Sequence, residues 1–251
     1  MDSLPDIAIF DLDGTLADSQ EGILTSFRST LDELGLHPSD ERLRSLIGPP
    51  LEDSFSQLGI DETDLQRVVA RYRHFYAVTG VRQCRLYDGV ASVLQHFSRA
   101  GVRMAVATSK RVDFANEMLE VLGVRHHFDA VSGASIDGTL TLKIDIVAEV
   151  LSCLGAPNVR RTWMVGDREY DVHAARFHGL VPIGVLWGYG TLEELVVSGA
   201  EFILNEPIQL SELEEQLEGG DPVCWAHLSC PTCGVVLGGD HRSDQCEIRA
   251  N

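Results

Sequence analysis

The sequence predicts an α/β protein, a doubly wound parallel sheet interrupted early by an all-helical insertion. Three observations predict it. The apolar run Ile7-Ala8-Ile9-Phe10 has the length and character of a buried strand. From Ser19 to about Gly80 the apolar spacing is helical, with no strand pattern. From Tyr87 onward helical and strand patterns alternate, which implies a parallel sheet covered on both faces.

The elements follow in order. Residues 6–11 are the first strand. In the insertion, Ile23, Leu24, Phe27, Leu31 and Leu34 recur at helical spacing and end near Gly35. Gly48-Pro49-Pro50 breaks the run, and Leu65, Val68, Val69, Tyr72 and Tyr76 mark a further helix. Beyond Tyr87, helices are expected near 89–100, 111–122, 143–154, 169–178, 191–197 and 207–217. Strands are expected near 102–107, 128–131, 161–165, 181–186 and 201–204. The chain therefore divides into a core (1–16 and 84–217), a helical insertion (17–83) and a cysteine-rich tail (218–251), with no internal repeat.

Four segments bear chemistry. Ile7–Phe10 runs into Asp11-Leu12-Asp13-Gly14-Thr15, two carboxylates one residue apart at a strand's C-terminal end, where open α/β sheets collect ligands. Two acids so close must be held apart or neutralised, and a hard divalent cation does this well. Gly14 lets the backbone turn sharply. A second apolar strand ends in Thr108-Ser109, whose hydroxyl and N–H groups suit a phosphate; alone, the segment is equally a Ser/Thr cap on the helix that follows. Lys143 precedes the pattern Ile144, Val147, Ala148, Leu151. A lysine at a helix start is ordinarily solvated surface, but Lys110 and Lys143 are the only two lysines in the chain, and an ammonium suits phosphate as a point charge. Finally, a strand ends in Gly166-Asp167, with Asp171 four residues on; a helix starting between them would turn both carboxylates toward one cation.

This ordered set resembles the motifs of the haloacid dehalogenase superfamily: Asp-x-Asp-Gly-Thr, then Thr after a strand, Lys, and Gly-Asp-x-x-x-Asp. Most members of that superfamily are phosphatases. The resemblance spans roughly residues 1–215. Gly-Asp-Arg-Glu-Tyr-Asp-Val and the later Ile183–Gly190 look like its phosphoglycolate phosphatase and 5′-nucleotidase-like branch. It implies a Rossmann-like core with a helical cap at 17–83.

The resemblance also implies roles. Asp11 is the nucleophile and Asp13 the acid and base. Magnesium lies on Asp11, the backbone carbonyl of Asp13 and Asp167, with Asp171 beside it or one shell further out. Thr108, Ser109 and Lys143 hold the phosphate. Dehalogenase members lack an acid at the Asp13 position, so its presence implies phosphoryl chemistry. The implied substrate is a small phosphorylated metabolite, phosphoglycolate-like or a nucleoside monophosphate. A sugar-phosphate mutase shares the paired aspartates and stays open as an alternative, as does a phosphatase-like scaffold that works through its tail.

Composition narrows the classes. The 251 residues are 44% hydrophobic, enough for a real core, and the net charge of −18 repels nucleic-acid backbone and anionic membranes. An anionic substrate would then need a local positive site, which helix N-termini and Lys143 could help supply. Arg42, Arg44, Arg71 and Arg73 in the insertion are candidates for a second anionic group on the substrate, though surface arginines are the plainer interpretation of each. His74, His96, His126 and His127 lack metal-like spacing. No targeting or membrane-spanning pattern is visible, so a cytoplasmic protein with reduced thiols is expected, either monomer or homodimer. Cys224, Cys230, Cys233 and Cys246 in the tail form a possible four-thiolate zinc set, with His227 and His241 as substitutes. A second Cys-x-x-Cys is missing, and free thiols on an irregular appendage fit as well.

Overall fold

A computed structural model describes residues 4–155 and 157–218. Residues Pro5–Gln209 form one compact unit, and Leu4 with nearly all of the helix α10 (Gln209–Glu218) falls outside it. The four tail cysteines lie outside the described residues.

The main unit is built on six parallel strands: β1 (Ile7–Phe10), β4 (Arg103–Arg111), β5 (Ala130–Ala134), β6 (Thr162–Gly166), β7 (Val181–Val185) and β8 (Phe202–Leu204). They lie side by side in the order β5-β4-β1-β6-β7-β8. The chain steps outward from β1 on one side, returns, and steps outward on the other, as doubly wound sheets do. The winding reverses at β1, so a crevice is expected outside the carboxyl ends of β1, β4 and β6. All four β1 residues and all five β6 residues are buried, as parallel strands covered on both faces require.

Alternation along β1 sorts two layers. Ile7 and Ile9 join Ala105, Ala107 and Met164 against α7 (Lys143–Cys153) and α8 (Glu169–His178). Phe10 faces the other way, with its ring centroid 6.3 Å from Phe97 of α5 (Val90–Ala100) and 6.4 Å from Phe128.

Between β1 and α5 lies the helical insertion: α1 (Gln20–Asp32), α2 (Asp40–Arg44), α3 (Leu51–Gln57) and α4 (Glu62–Val78). Its own core is aromatic. Phe27 sits 5.2 Å from Phe55 and 4.9 Å from Tyr72, and Tyr72 stacks on Tyr76 at 5.9 Å. The chain enters through β2 (Ala17–Asp18) and leaves through β3 (Arg85–Leu86), which pair antiparallel as Ala17↔Leu86 and Asp18↔Arg85. The expected pattern contains no such pair, because two residues per strand give no periodicity.

Two other expectations shift. β4 continues to Arg111 rather than stopping before the Thr-Ser pair, with a register irregularity between Thr108 and Arg111. The helix α6 (Val112–Val121) starts after it. In α7 the buried residues are Lys143, Ile146, Val147 and Val150; of the expected set Ile144, Val147, Ala148 and Leu151, Val147 is buried, Ile144 and Leu151 pack partly buried against the core, and Ala148 is exposed. No helix among the described residues is long and apolar enough to cross a membrane.

Candidate active site

Four polar side chains close the carboxyl ends of the central strands. Asp11 follows β1, Asp167 follows β6, Asp171 lies in the first turn of α8, and Lys143 opens α7. All four are buried. Lys143 shares its helix face with Ile146, Val147 and Val150, at spacings of three, four and seven, so the packing that buries those residues also drives its stem inward. Its Nζ donates to Asp11 Oδ1 at 2.7 Å and to the Ala107 carbonyl at 2.9 Å, and lies 2.8 Å from Asp171 Oδ1. Asp171 is fixed further by the Arg168 N–H, which donates to its Oδ2 at 3.1 Å.

Asp167 accepts from the Tyr189 N–H at 2.8 Å and from the Thr15 hydroxyl at 3.2 Å. Two glycines let this approach occur. A Cβ on Gly14 would lie 2.2 Å from Asp167 Oδ2, and one on Gly188 would lie 2.5 Å from Asp167 Cβ. Gly14 also takes a φ of +85°, which closes the tight loop Leu12–Ala17.

Asp11, Asp167 and Asp171 each present a carboxylate oxygen within 4.8 Å of the others. Asp11 and Asp171 share the one ammonium of Lys143 and Asp167 adds a third carboxyl beside them, so full ionisation would leave two negative charges in a buried place. The strain shows in their proton affinities. Burial, with the neighbouring carboxylates adding to it, raises Asp11 to about 6 and Asp167 to about 8. Burial alone would lower Lys143, but Asp11 and Asp171 hold it above the ordinary lysine range, so it stays charged. An all-oxygen donor set with two uncompensated charges fits a hard divalent cation.

The Asp13 side chain stands apart from this group. The Ser19 hydroxyl donates to its Oδ1, and Lys110 Nζ lies 3.0 Å from its Oδ2. Thr108 is buried at the same sheet edge and its Oγ1 accepts from the Lys110 N–H at 3.1 Å; Ser109 is exposed. Asp11, Asp13, Thr108, Ser109, Lys143 and Asp171 all line one cavity of about 680 Å³, which the insertion closes with Phe27, Val69, Tyr72 and Tyr76.

Of the insertion's arginines, only Arg73 lines this cavity. Arg71 pairs with Glu33, Arg44 with Gln20, and Arg42 with the Gln57 carbonyl. Thr15 of the first motif holds the site together along with Ser19, Lys110 and Tyr189, to which the sequence motifs assign no role. One signal was there for Lys110, which is half of the chain's lysine content and follows Thr108-Ser109 directly.

Comparison with known proteins agrees with this geometry. Residues 8–185 match the family model described as haloacid dehalogenase-like hydrolase. The chain is 38% identical to a 5′-nucleotidase of Pseudomonas aeruginosa over 189 residues, covering 74% of this chain and 85% of that one. It is 37% identical over 214 residues to a Mycobacterium tuberculosis protein named tyrosine-protein kinase PtkA, covering 85% of this chain and 72% of that one. Among solved structures, a haloacid dehalogenase-like family protein of Streptococcus pneumoniae superposes with a TM-score of 0.78 at 28% identity, covering 84% of this chain and 98% of that one.

Proposed function

The chain belongs to the haloacid dehalogenase-like hydrolases, and on that premise we propose that it is a magnesium-dependent phosphatase of a small phosphorylated metabolite, working through an aspartyl-phosphate. The observation that supports this most is the buried trio Asp11, Asp167 and Asp171, with the ammonium of Lys143 set against Asp11 and Asp171.

In this mechanism Asp11 attacks phosphorus, which splits one difficult displacement into two easier ones. Asp13 gives a proton to the leaving oxygen and later takes one from the attacking water. Lys143 and the Thr108 hydroxyl neutralise the transferring oxygens, with the N–H groups near Leu12, Asp13 and Ser109 completing the cradle. Asp11, Asp167, Asp171 and the Asp13 carbonyl would hold magnesium. When bound, the ion supplies positive charge against nucleophile and phosphate together. The insertion acts as a cap that excludes water and limits the site to small esters.

The lining of the cavity favours an uncharged leaving group with an apolar face, such as a nucleoside, over glycolate. Its apolar wall includes Ile23, Phe27, Val69 and Tyr72, and every cation lining it among the described residues already faces a carboxylate.

A panel of phosphate monoesters with magnesium, read as released phosphate, tests the proposal. Release that stops with a chelator and with Asp11→Asn is expected. A folded protein that releases phosphate from none of them would overturn it. Because one relative is named a tyrosine-protein kinase, the panel includes ATP with a tyrosine peptide, which separates transfer from hydrolysis.

A further inference from the structure

Lys110 has no part in the roles above, yet its side chain is largely withdrawn from water at some cost. Its side chain is only 9% exposed, and an ammonium is stable there only if other groups replace its lost water. Its partners are specific. Nζ lies 3.0 Å from Asp13 Oδ2, donates to the Tyr76 hydroxyl at 2.7 Å, and stands 4.3 Å from the Tyr76 ring centroid. Tyr76 belongs to α4 of the cap, whereas Lys110 belongs to β4 of the core. Ser19, just ahead of α1, holds the other oxygen of Asp13. Each oxygen of that carboxylate therefore has its own donor, and the two together fix the plane of the group.

We infer that Lys110 is a positioning residue for Asp13, and that Tyr76 holds it in place from the cap. The inference rests on the phosphatase reading, in which Asp13 passes a proton. In the first step a bond forms between an Asp11 oxygen and phosphorus while the bond from phosphorus to the leaving oxygen breaks. The proton on Asp13 moves to that oxygen, an alcohol is released, and Asp13 is left as a carboxylate. The charge that appears on Asp13 as its proton departs is met by the ammonium 3.0 Å away, in an orientation already set. Seating of the cap and readiness of the acid are thereby one event, through Tyr76.

Dependence on leaving-group basicity separates this role from a merely structural one. A p-nitrophenolate departs without a proton, whereas an alkoxide needs one. The experiment measures kcat/KM for magnesium-loaded enzyme across phosphate monoesters running from p-nitrophenyl to alkyl, for wild type, Lys110→Met and Tyr76→Phe. The ratio kcat/KM reports only steps up to phosphoryl transfer onto Asp11, so the later hydrolysis does not confuse it. For Lys110→Met we expect a loss of about 100-fold on alkyl esters and no more than about threefold on p-nitrophenyl phosphate. Tyr76→Phe should tilt the series the same way, by about fivefold on alkyl esters. A loss that is uniform across the series, or no loss, overturns the inference. Should Lys110→Met not fold, Tyr76→Phe decides by the same criterion. A wild type inert toward every ester is a different result and would remove the phosphatase reading instead.

Discussion

Lys143 Nζ and Asp11 Oδ1 lie 2.7 Å apart across 132 residues of sequence, and this pair sets the electrostatics of the whole site. Lys143 offers the positive charge against which Asp11, Asp171 and the Ala107 carbonyl are arranged. Truncating one member of a buried pair leaves its partner's charge uncompensated, at about 3–5 kcal/mol. Lys143→Met should therefore lower metal-free stability by about that amount at neutral pH, read by urea unfolding with a chelator. Activity should fall by about 10²–10³ in kcat, because the proposed mechanism sets the same ammonium against the transferring oxygens. Unfolding midpoints equal to wild type would show that the pair contributes nothing net.

Asp11→Asn makes the opposite stability prediction. It removes one negative charge from an overcharged group, while Lys143 keeps Asp171 and the Ala107 carbonyl as partners. The variant should form no phosphoenzyme and release no phosphate. Its metal-free stability should equal or exceed that of wild type, and its gain from added magnesium should shrink. A marked destabilisation without metal would contradict this account of the site's charge.

The fold and the three strand-end motifs were legible because each is local. An apolar run followed at once by acids, a hydroxyl pair or Gly-Asp marks a strand end without any knowledge of its neighbours. Asp11, Thr108 and Asp167 announce themselves in this way, whereas Lys143 stands out only as one of two lysines, placed at a helix start. The supporting contacts do not. Ser19 meets Tyr189 across 170 residues, and Thr15 meets Asp167 across 152. Nothing near Ser19 or Tyr189 in sequence encodes that meeting. The phase of α7 was obscured for another reason. Ile144 and Leu151 also pack against the core, partly buried, so the helix carries a wide apolar arc whose centre periodicity does not fix.

The raised carboxyls make stability without metal depend on pH in a definite direction. A carboxyl held above its unfolded value binds its proton more tightly in the folded state. Its contribution is therefore fully present below about pH 4, near the ordinary carboxylate value, and is lost as pH rises through the folded values of about 6 for Asp11 and about 8 for Asp167. Magnesium needs the ionised forms, so it should stabilise progressively more from pH 5.5 to 8.5, and its binding should release protons. Thermal unfolding at both pH values, with and without magnesium, checks this. Asp167→Asn should flatten the metal-dependent difference; an unchanged slope in that variant would show that the pH dependence arises elsewhere.

Gly188 tests whether close backbone approach sets the metal site. A Cβ there would stand 2.2 Å from the Gly14 carbonyl and 2.5 Å from Asp167 Cβ, so neither neighbour can yield by moving a flexible tip. Gly188→Ala should displace Asp167, destabilise by about 1–3 kcal/mol and weaken magnesium binding as seen by calorimetry. Gly59→Ala is the control. Gly59 has a φ of +84° but open space around it, so that variant should cost about 1–2 kcal/mol of backbone strain and leave magnesium affinity as it is.

Charge pairing around the cavity predicts which esters the enzyme prefers. Arg73 lies 3.5 Å from Glu52, Arg111 is paired with Asp113 at 2.6 Å while lying over Phe114, and Arg168 is paired with Glu194 at 2.7 Å. A carboxylate on the leaving group, as in phosphoglycolate, would have to compete with these acids for a partner. An uncharged leaving group with an apolar face meets Phe27 and Tyr72 without that penalty. A nucleoside monophosphate should thus show the higher kcat/KM. The Arg73–Glu52 pair is the longest and is partly solvated, so it is the one that yields most readily to a competing carboxylate. Glu52→Gln should release Arg73 and raise kcat/KM for phosphoglycolate by about 2–5-fold, the yield of one modest ion pair, with little change for the nucleotide. Phosphoglycolate already preferred by wild type, or no gain in Glu52→Gln, would mean that the ester's second charge is met elsewhere in the cavity.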